Sequence, residues 1–171
     1  MKFRTHLTAF VGATLLMGVA VAQTGQAEEQ AALLQAMSGA KVRLQQGLDA
    51  ATSQGRPISA KFELEDGKLQ LSVYTDKAGK YAEVIVDHTN GHVTKVDAIT
   101  EGDDLTYAKA QAGALAKVKE SLKAATDKAE RDAAGYRAIS ALPELADKGG
   151  SVVKVTLAKG SEVKTVTVPV K

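Results

Sequence analysis

The chain of 171 residues contains no cysteine and no tryptophan, and aromatic residues make up only 4% of it. Without cysteine the chain can form no disulfide framework and offers no thiol for lipid attachment, so core packing alone must hold the fold. The scarcity of aromatic rings argues against a sugar-stacking lectin or a base-stacking platform, because both classes bind through aromatic faces.

The chain also lacks a strong excess of charge. It has 22 basic residues against 20 acidic ones, and two of the basic residues, Lys2 and Arg4, stand at its start. The rest of the chain is neutral, with 20 of each sign. We therefore expect neither nucleic acid nor an anionic membrane as the main partner.

The first 27 residues have the three parts of a secretory signal peptide. Lys2 and Arg4 form a short positive region, an uncharged and mostly apolar run follows from Leu7 to about Val19, and small residues come next. Cleavage fits after Ala22 or after Ala27. The apolar run is shorter than the roughly 20 residues of a spanning helix. We therefore expect a periplasmic or secreted mature protein without a membrane span.

The remaining chain gives the same order of elements twice, with a break near residue 101. In residues 28–101, apolar residues at helical spacing predict helices over Glu28–Met37 and Leu44–Thr52. Alternating apolar and polar residues then predict strands at 58–65, 68–75, 81–87 and 92–98. Turn dipeptides such as Asp66-Gly67 separate these strands. On this pattern Glu63 and Glu65 should both lie on the wet face of their strand.

In residues 102–171, an alanine-rich pattern predicts one long helix from Thr106 to about Ala133, with Asp104 or Thr106 as its N-cap. Three strands should follow, at 136–145, 151–157 and 162–168. We therefore predict an α+β fold of two similar halves, each a helix packed on a three- to four-stranded antiparallel sheet. Because about 70 residues make a thin core, the halves should pack on each other.

Charge gives weak support to that packing. Residues 28–101 carry 8 basic and 11 acidic residues, whereas residues 102–171 carry 12 and 9. The two halves therefore have small net charges of opposite sign, which favours their docking.

Three segments of the first half resemble the PepSY domain family. Tyr81–Val93 resembles the closing signature of that family: an aromatic residue, alternating valines, Val-Asp, a short turn, Gly and Val. Leu44–Ala51 is similar to the PepSY helix, and Ile58–Glu65 to the first strand. The resemblance covers about residues 42–99. In the second half, Leu105–Gln111 is similar to the start of a second PepSY helix, although the Val-Asp-x-x-x-Gly ending is missing.

The resemblance implies a stand-alone exported protein with two PepSY-like repeats and a PepSY/cystatin-like fold. Proteins of this family are proposed to bind or inhibit peptidases in the cell envelope. The expected function is thus non-enzymatic binding of a peptidase, a peptide or another envelope protein. Strand addition at an exposed sheet edge is a suitable mechanism. Glu162–Val170 is a candidate edge, with Pro169 limiting how far pairing could run.

Few residues suggest other chemistry. Asp87, His88 and His92 cluster with Asn90 around one turn and are weak candidates for a metal site, although Asp and Asn are also ordinary turn residues. The chain has no cysteine nucleophile, Gly-x-Ser-x-Gly elbow, His-Glu-x-x-His motif or phosphate-binding glycine loop. The sequence predicts no catalytic residues and no cofactor. The alternatives to peptidase binding are a metal- or ligand-sensing module and a structural envelope scaffold.

Overall fold

The computed structural model describes residues 22–147 and 149–171. The predicted signal peptide lies outside the described residues up to Val21, and its last six positions fall within the first helix. The elements, in chain order, are α1 (Ala22–Met37), α2 (Leu44–Ala51), β1 (Arg56–Glu65), β2 (Lys68–Lys77), β3 (Lys80–Val86), β4 (Val93–Ile99), α3 (Gly102–Leu115), α4 (Leu122–Asp132), β5 (Arg137–Leu145), β6 (Ser151–Lys159) and β7 (Glu162–Val170).

All seven of these strands belong to one antiparallel sheet, in the order β4-β3-β2-β1-β5-β6-β7. The α+β class is confirmed, and each predicted strand lies within two residues of its observed bounds. The strands before and after residue 101 do not form separate sheets. They join where β1 pairs with β5, through Ala60 opposite Ala141 and Lys61 opposite Ser140.

The β1–β2 hairpin shows why the alternating pattern predicts the strand bounds to within two residues. Its two turn residues, Asp66 and Gly67, both have positive φ, at 50° and 72°. A two-residue turn of this kind matches the right-handed twist of the strands that it joins. Phe62 and Leu71 are therefore cross-strand partners, and both are buried.

Helices α2 and α4 lie side by side on one face of the sheet and cover its core. The approach of α2 is close, because a Cβ atom added at Gly47 would lie 2.5 Å from Leu71 Cδ2. The largest fully buried side chains of this core are Leu44, Leu48, Leu71, Val73, Val84, Val86, Val153, Val155 and Leu157.

Helix α3 lies on the opposite face. It packs on β1, β2, β5 and β6, and Ser59 Oγ donates a hydrogen bond to Gln111 Oε1 at 2.6 Å. Ser59 pairs with Tyr74, whose side chain points away from the face that carries Leu71 and Val73. Helix α3 therefore covers the face of the sheet opposite to α2 and α4.

The prediction of one long helix over 106–133 is wrong, because the chain leaves the helix at Ala116 and re-enters it at Leu122. Ser121 caps the second helix by accepting a hydrogen bond from the Ala124 amide at 3.1 Å. The amides of Lys119 and Glu120 donate instead to the Lys171 carbonyl. Because of this break, the chain passes the ends of the strands, so that α3 lies on one face of the sheet and α4 on the other.

The start of α3 also differs from the prediction. Glu101 is the N-cap residue, so Asp104 lies inside the first helical turn and Thr106 further along it. No helix in the ranges that the structure describes is both long enough and apolar enough to cross a bilayer.

Candidate functional site

The turn between β3 and β4 holds the residues proposed as weak metal ligands. Asp87 Oδ1 accepts hydrogen bonds from the Thr89 amide at 2.7 Å and from Thr89 Oγ1 at 2.6 Å. Asp87 Oδ2 accepts another from Asn90 Nδ2 at 2.9 Å. These bonds hold the pKa of Asp87 below its usual range, with those from Thr89 contributing most. Both carboxylate oxygens are therefore engaged in shaping the turn.

The two histidines of this turn act mainly through their backbone. The His88 carbonyl accepts from the amides of Lys41 and Val42, both at 2.9 Å, and the His92 carbonyl accepts from the Asp87 amide at 2.8 Å. His88 Nδ1 is buried and has no hydrogen-bond partner. Among residues 22–147 and 149–171, no three His, Cys, Asp or Glu side chains are placed to hold one metal ion.

A polar cluster lies on the sheet face that carries α3. Glu63 forms an ion pair with Lys61 at 2.5 Å and accepts a hydrogen bond from Ser72 Oγ at 2.7 Å. Tyr74 donates to Glu83 Oε1 at 3.2 Å. The expectation that Glu63 is on a wet face is wrong, since only 20% of its side chain is exposed. Glu65, by contrast, is exposed.

Burial sets the electrostatics of this cluster. It raises the pKa of Glu83, and the hydrogen bond from Tyr74 offsets part of that effect. Burial also raises the pKa of Asp104, whose Oδ1 is buried without a hydrogen-bond partner. The pKa of Tyr74 rises because of burial first and nearby carboxylates second. The Tyr74 hydroxyl therefore keeps its proton at neutral pH and acts as a donor to Glu83.

A second polar cluster ties α2, α4 and β5 together on the other face, and its centre is Glu130. This carboxylate pairs with Arg43, accepts from Gln45 Nε2 at 2.8 Å, and accepts from the Ala138 amide at 2.6 Å. Only 9% of the Glu130 side chain is exposed. Glu130 thus links residues that stand more than 80 positions apart in the chain.

Arg137 extends this cluster to the segment between α1 and α2. Its guanidinium donates to the Ala40 carbonyl at 2.9 Å and to the Val42 carbonyl, and it lies 5.4 Å from the centre of the Phe62 ring. Burial, with the Arg43 charge second, lowers the pKa of Arg137. Sequence reasoning missed this role, and the one available signal was a charge at the start of an apolar strand.

A basic cleft opens beside this cluster, with a volume of about 580 Å³. Its walls include Lys41, Arg43, Arg131 and Arg137, together with the carboxylates of Asp127 and Glu130. Arg43 is already paired with Glu130, and Arg137 is bound to backbone carbonyls. Two of the four cations thus serve the fold, so we do not assign an anion site to this cleft.

The edges of the sheet offer the better candidate site. The predicted edge segment Glu162–Val170 is strand β7, and β7 is indeed the last strand of the sheet. Pro169 lies opposite Val152 in the β6–β7 ladder. Because proline has no N–H, it is found in a strand where that position faces away from the neighbouring strand. The direction of the backbone groups alternates along a strand. The amides and carbonyls of Thr165 and Thr167 therefore point toward the open edge.

The two faces of β7 differ in character. Val168 and Val170 are buried on the side that α4 covers, whereas Thr165 and Thr167 are exposed. An extended segment added to this edge would thus find a row of free backbone groups beside a helix on one face of the sheet.

Comparison with protein-family models, with curated proteins and with solved structures finds no match.

Proposed function

We propose that the chain is an exported, non-enzymatic binding protein of the PepSY type. It acts in the periplasm or outside the cell, where it binds a peptide or a peptidase and modulates or inhibits that peptidase. The observation that carries this proposal is the open edge of β7, nine residues long and supported by α4 on one face.

The mechanism is strand addition. An extended segment of the partner pairs with β7 and exchanges backbone hydrogen bonds with Thr165 and Thr167. Pro169 supplies a carbonyl but no amide, so the ladder weakens toward the C-terminal end of β7. Binding of this kind depends on the backbone and needs no reactive side chain in the chain itself.

Repetition within the fold supports a tandem pair of PepSY-like units. In both halves a helix is followed, after four residues, by three consecutive antiparallel strands: α2 before β1–β3 and α4 before β5–β7. The first strand of each unit carries a register shift near its start, at Ile58 and at Ile139. Each of these isoleucines is followed by Ser-Ala. We infer that the halves arose as copies of one unit.

Export is the second part of the proposal and rests on the predicted signal peptide. Mass spectrometry of the protein recovered from a secreting host tests it, with cleavage after Ala22 or after Ala27 as the expected result. A protein retained in the cytoplasm with its N-terminus intact contradicts it.

The binding proposal is tested with a variant that blocks the edge and spares the sheet. Thr165→Pro combined with Thr167→Pro removes two outward amides, whereas Val166→Pro removes an inward amide that serves the β6–β7 ladder. Purified wild type should inhibit or bind thermolysin-like envelope peptidases in a titration. The Thr165/Thr167 variant should lose that effect while keeping its unfolding temperature, and the Val166 variant should unfold more readily.

Two results separate the alternatives. Binding to an envelope protein without inhibition favours the scaffolding role. Wild type that neither inhibits nor binds any of the peptidases contradicts the proposal.

A further inference from the structure

The other open edge of the sheet, β4, has a sequence that is complementary to itself. The strand reads Val93-Thr-Lys-Val-Asp-Ala-Ile99, with Val96 at its centre. A lysine precedes Val96 and an aspartate follows it. Next to these charges, Thr94 and Ala98 are both small.

Such a strand can pair with a second copy of itself in one definite register. A two-fold axis perpendicular to the sheet at Val96 makes the two strands antiparallel and keeps each residue on its own face. Val96 then lies opposite Val96 of the second copy, and Lys95 lies opposite Asp97 of the second copy. The symmetry repeats that charge pair, so two such pairs flank the central valines.

The exposure of the β4 side chains agrees with this register. Val96 is 44% exposed, whereas Val84, its partner on β3, is fully buried under α2. Lys95 and Asp97 form an ion pair 2.6 Å apart within the strand, and both side chains remain about half exposed. Each can therefore also meet the opposite charge on a neighbouring copy without leaving its present partner.

The register shift in β4 does not interrupt the central pairs. Lys95 lies opposite Ile85 and Val93 lies opposite Val86, so Thr94 is the extra residue. A bulge of this kind bends an edge strand and limits how far it can pair. The pairs formed by residues 95–97 lie beyond it, and they hold both charges and the exposed valine.

The β7 edge has a matching charge pattern only at its first three residues, Glu162-Val163-Lys164, directly after the hairpin turn. Both charged side chains there already contact Tyr136. Centred on Val166, antiparallel self-pairing would place Lys164 opposite Val168 and Val163 opposite Pro169. Neither combination matches charge with charge, and one places a proline in the ladder. The charges thus match at the centre of β4 and not at the centre of β7, so β4 is the edge that suits a second copy of the chain.

We propose that two copies of this chain associate through β4, antiparallel about Val96, into one continuous sheet. The two β7 edges remain free at its outer ends, so this dimer does not depend on the function proposed for β7. Because a single pair of strands makes a small interface, the affinity is modest, with a Kd in the micromolar to low-millimolar range.

Charge-reversal variants test the pairing by sedimentation equilibrium. Lys95→Asp places like charges opposite each other and should weaken the dimer tenfold or more, and Asp97→Lys should do the same. The double variant, Lys95→Asp with Asp97→Lys, restores the match and should dimerise like wild type. The two single variants, each monomeric alone, should associate when mixed, because their β4 strands then carry opposite charges.

A cysteine variant gives an independent readout, because the natural chain has no cysteine. Val96→Cys places two thiols directly opposite each other across the proposed axis and should give a disulfide-linked dimer on mild oxidation. Thr165→Cys on β7 is the matched control and should stay largely monomeric. A wild type that remains monomeric at millimolar concentration overturns the proposal. So does a dimer that persists in both single charge-reversal variants.

Discussion

The Gln45 side-chain amide donates a hydrogen bond of 2.8 Å to the Glu130 carboxylate, and so joins the start of α2 to the end of α4. The same carboxylate accepts from the Ala138 amide at the start of β5. One buried acidic group thus holds together three elements drawn from both parts of the chain.

Glu130→Ala should therefore lower the free energy of unfolding by about 2–3 kcal/mol, because it leaves the Ala138 amide and the Gln45 amide without their acceptor. Urea denaturation measures this loss. Asp127→Ala is the matched control on the same helix. It removes only a half-exposed pair with Lys123 and should cost less than about 0.5 kcal/mol. Equal losses in the two variants would contradict the role of Glu130.

Gly47→Ala should destabilise the fold by about 1–3 kcal/mol, because the new methyl group would lie 2.5 Å from Leu71 Cδ2. Gly113→Ala provides the control, since no atom lies within 4 Å of its added Cβ. That substitution should stabilise α3 by up to about 1 kcal/mol through helix propensity alone. Thermal unfolding of the two variants should therefore shift in opposite directions.

Glu83→Gln should stabilise the protein at neutral pH. Burial raises the pKa of Glu83 above its ordinary value of 4.5, so the ionised carboxylate is disfavoured in the folded state. The advantage of the variant should shrink as the pH falls through that raised pKa toward 4.5. The glutamine still accepts from Tyr74. Unfolding free energies measured across this pH range test the sign.

Asp87→Asn is the opposite-sign control for that experiment. The Thr89 and Asn90 bonds lower the pKa of Asp87, so its ionised form stabilises the fold at neutral pH. The variant should be less stable than wild type there, and the difference should close as the pH falls through the lowered pKa. The same slope for the Glu83 and Asp87 variants would contradict both assignments.

Arg137→Lys should cost about 1–2 kcal/mol of stability, because lysine cannot donate to the Ala40 and Val42 carbonyls together and also stack on Phe62. Arg131→Lys changes an exposed arginine that lines the same cleft and should stay within about 0.5 kcal/mol of wild type. Chemical denaturation of the two variants compares them directly. A neutral effect at Arg137 would show that its carbonyl contacts add nothing to the fold.

The strands could be predicted from the sequence because their signal is local. Phe62 and Leu64 alternate with charged residues, and Asp66-Gly67 is a strong signal for a two-residue hairpin turn. The register of each hairpin follows from the turn that closes it. The prediction that Glu162–Val170 is an edge strand is confirmed. Pro169 alone does not mark the edge, because Pro57 and Pro143 lie in the inner strands β1 and β5.

The remaining features depend on contacts between distant residues. Little in the local sequence marks the helix break at 116–121. The segment has neither glycine nor proline, and its one local signal is Ser121, a residue that favours the N-cap position. Glu63 looks solvent-facing in the strand pattern, and it becomes mostly buried among Lys61 and Ser72 on the face that α3 covers. The net charges of the two parts of the chain also do not predict the individual ion pair between them. In the Arg43–Glu130 pair the cation comes from the acidic part of the chain and the anion from the basic part.

Ala60 and Ala141 are neighbours in the sheet, yet they stand 81 positions apart in the chain. The chain is synthesised from its N-terminus, so β1–β4 are made well before β5. Until β5 follows, the edge of β1 that pairs with β5 in the finished fold is open. The central strand of the finished sheet is thus, for a time, an edge strand that is open to wrong pairing. The β5 strand of another molecule can pair with this open edge in place of the chain's own β5. The order of synthesis therefore influences whether two copies of the chain exchange strands.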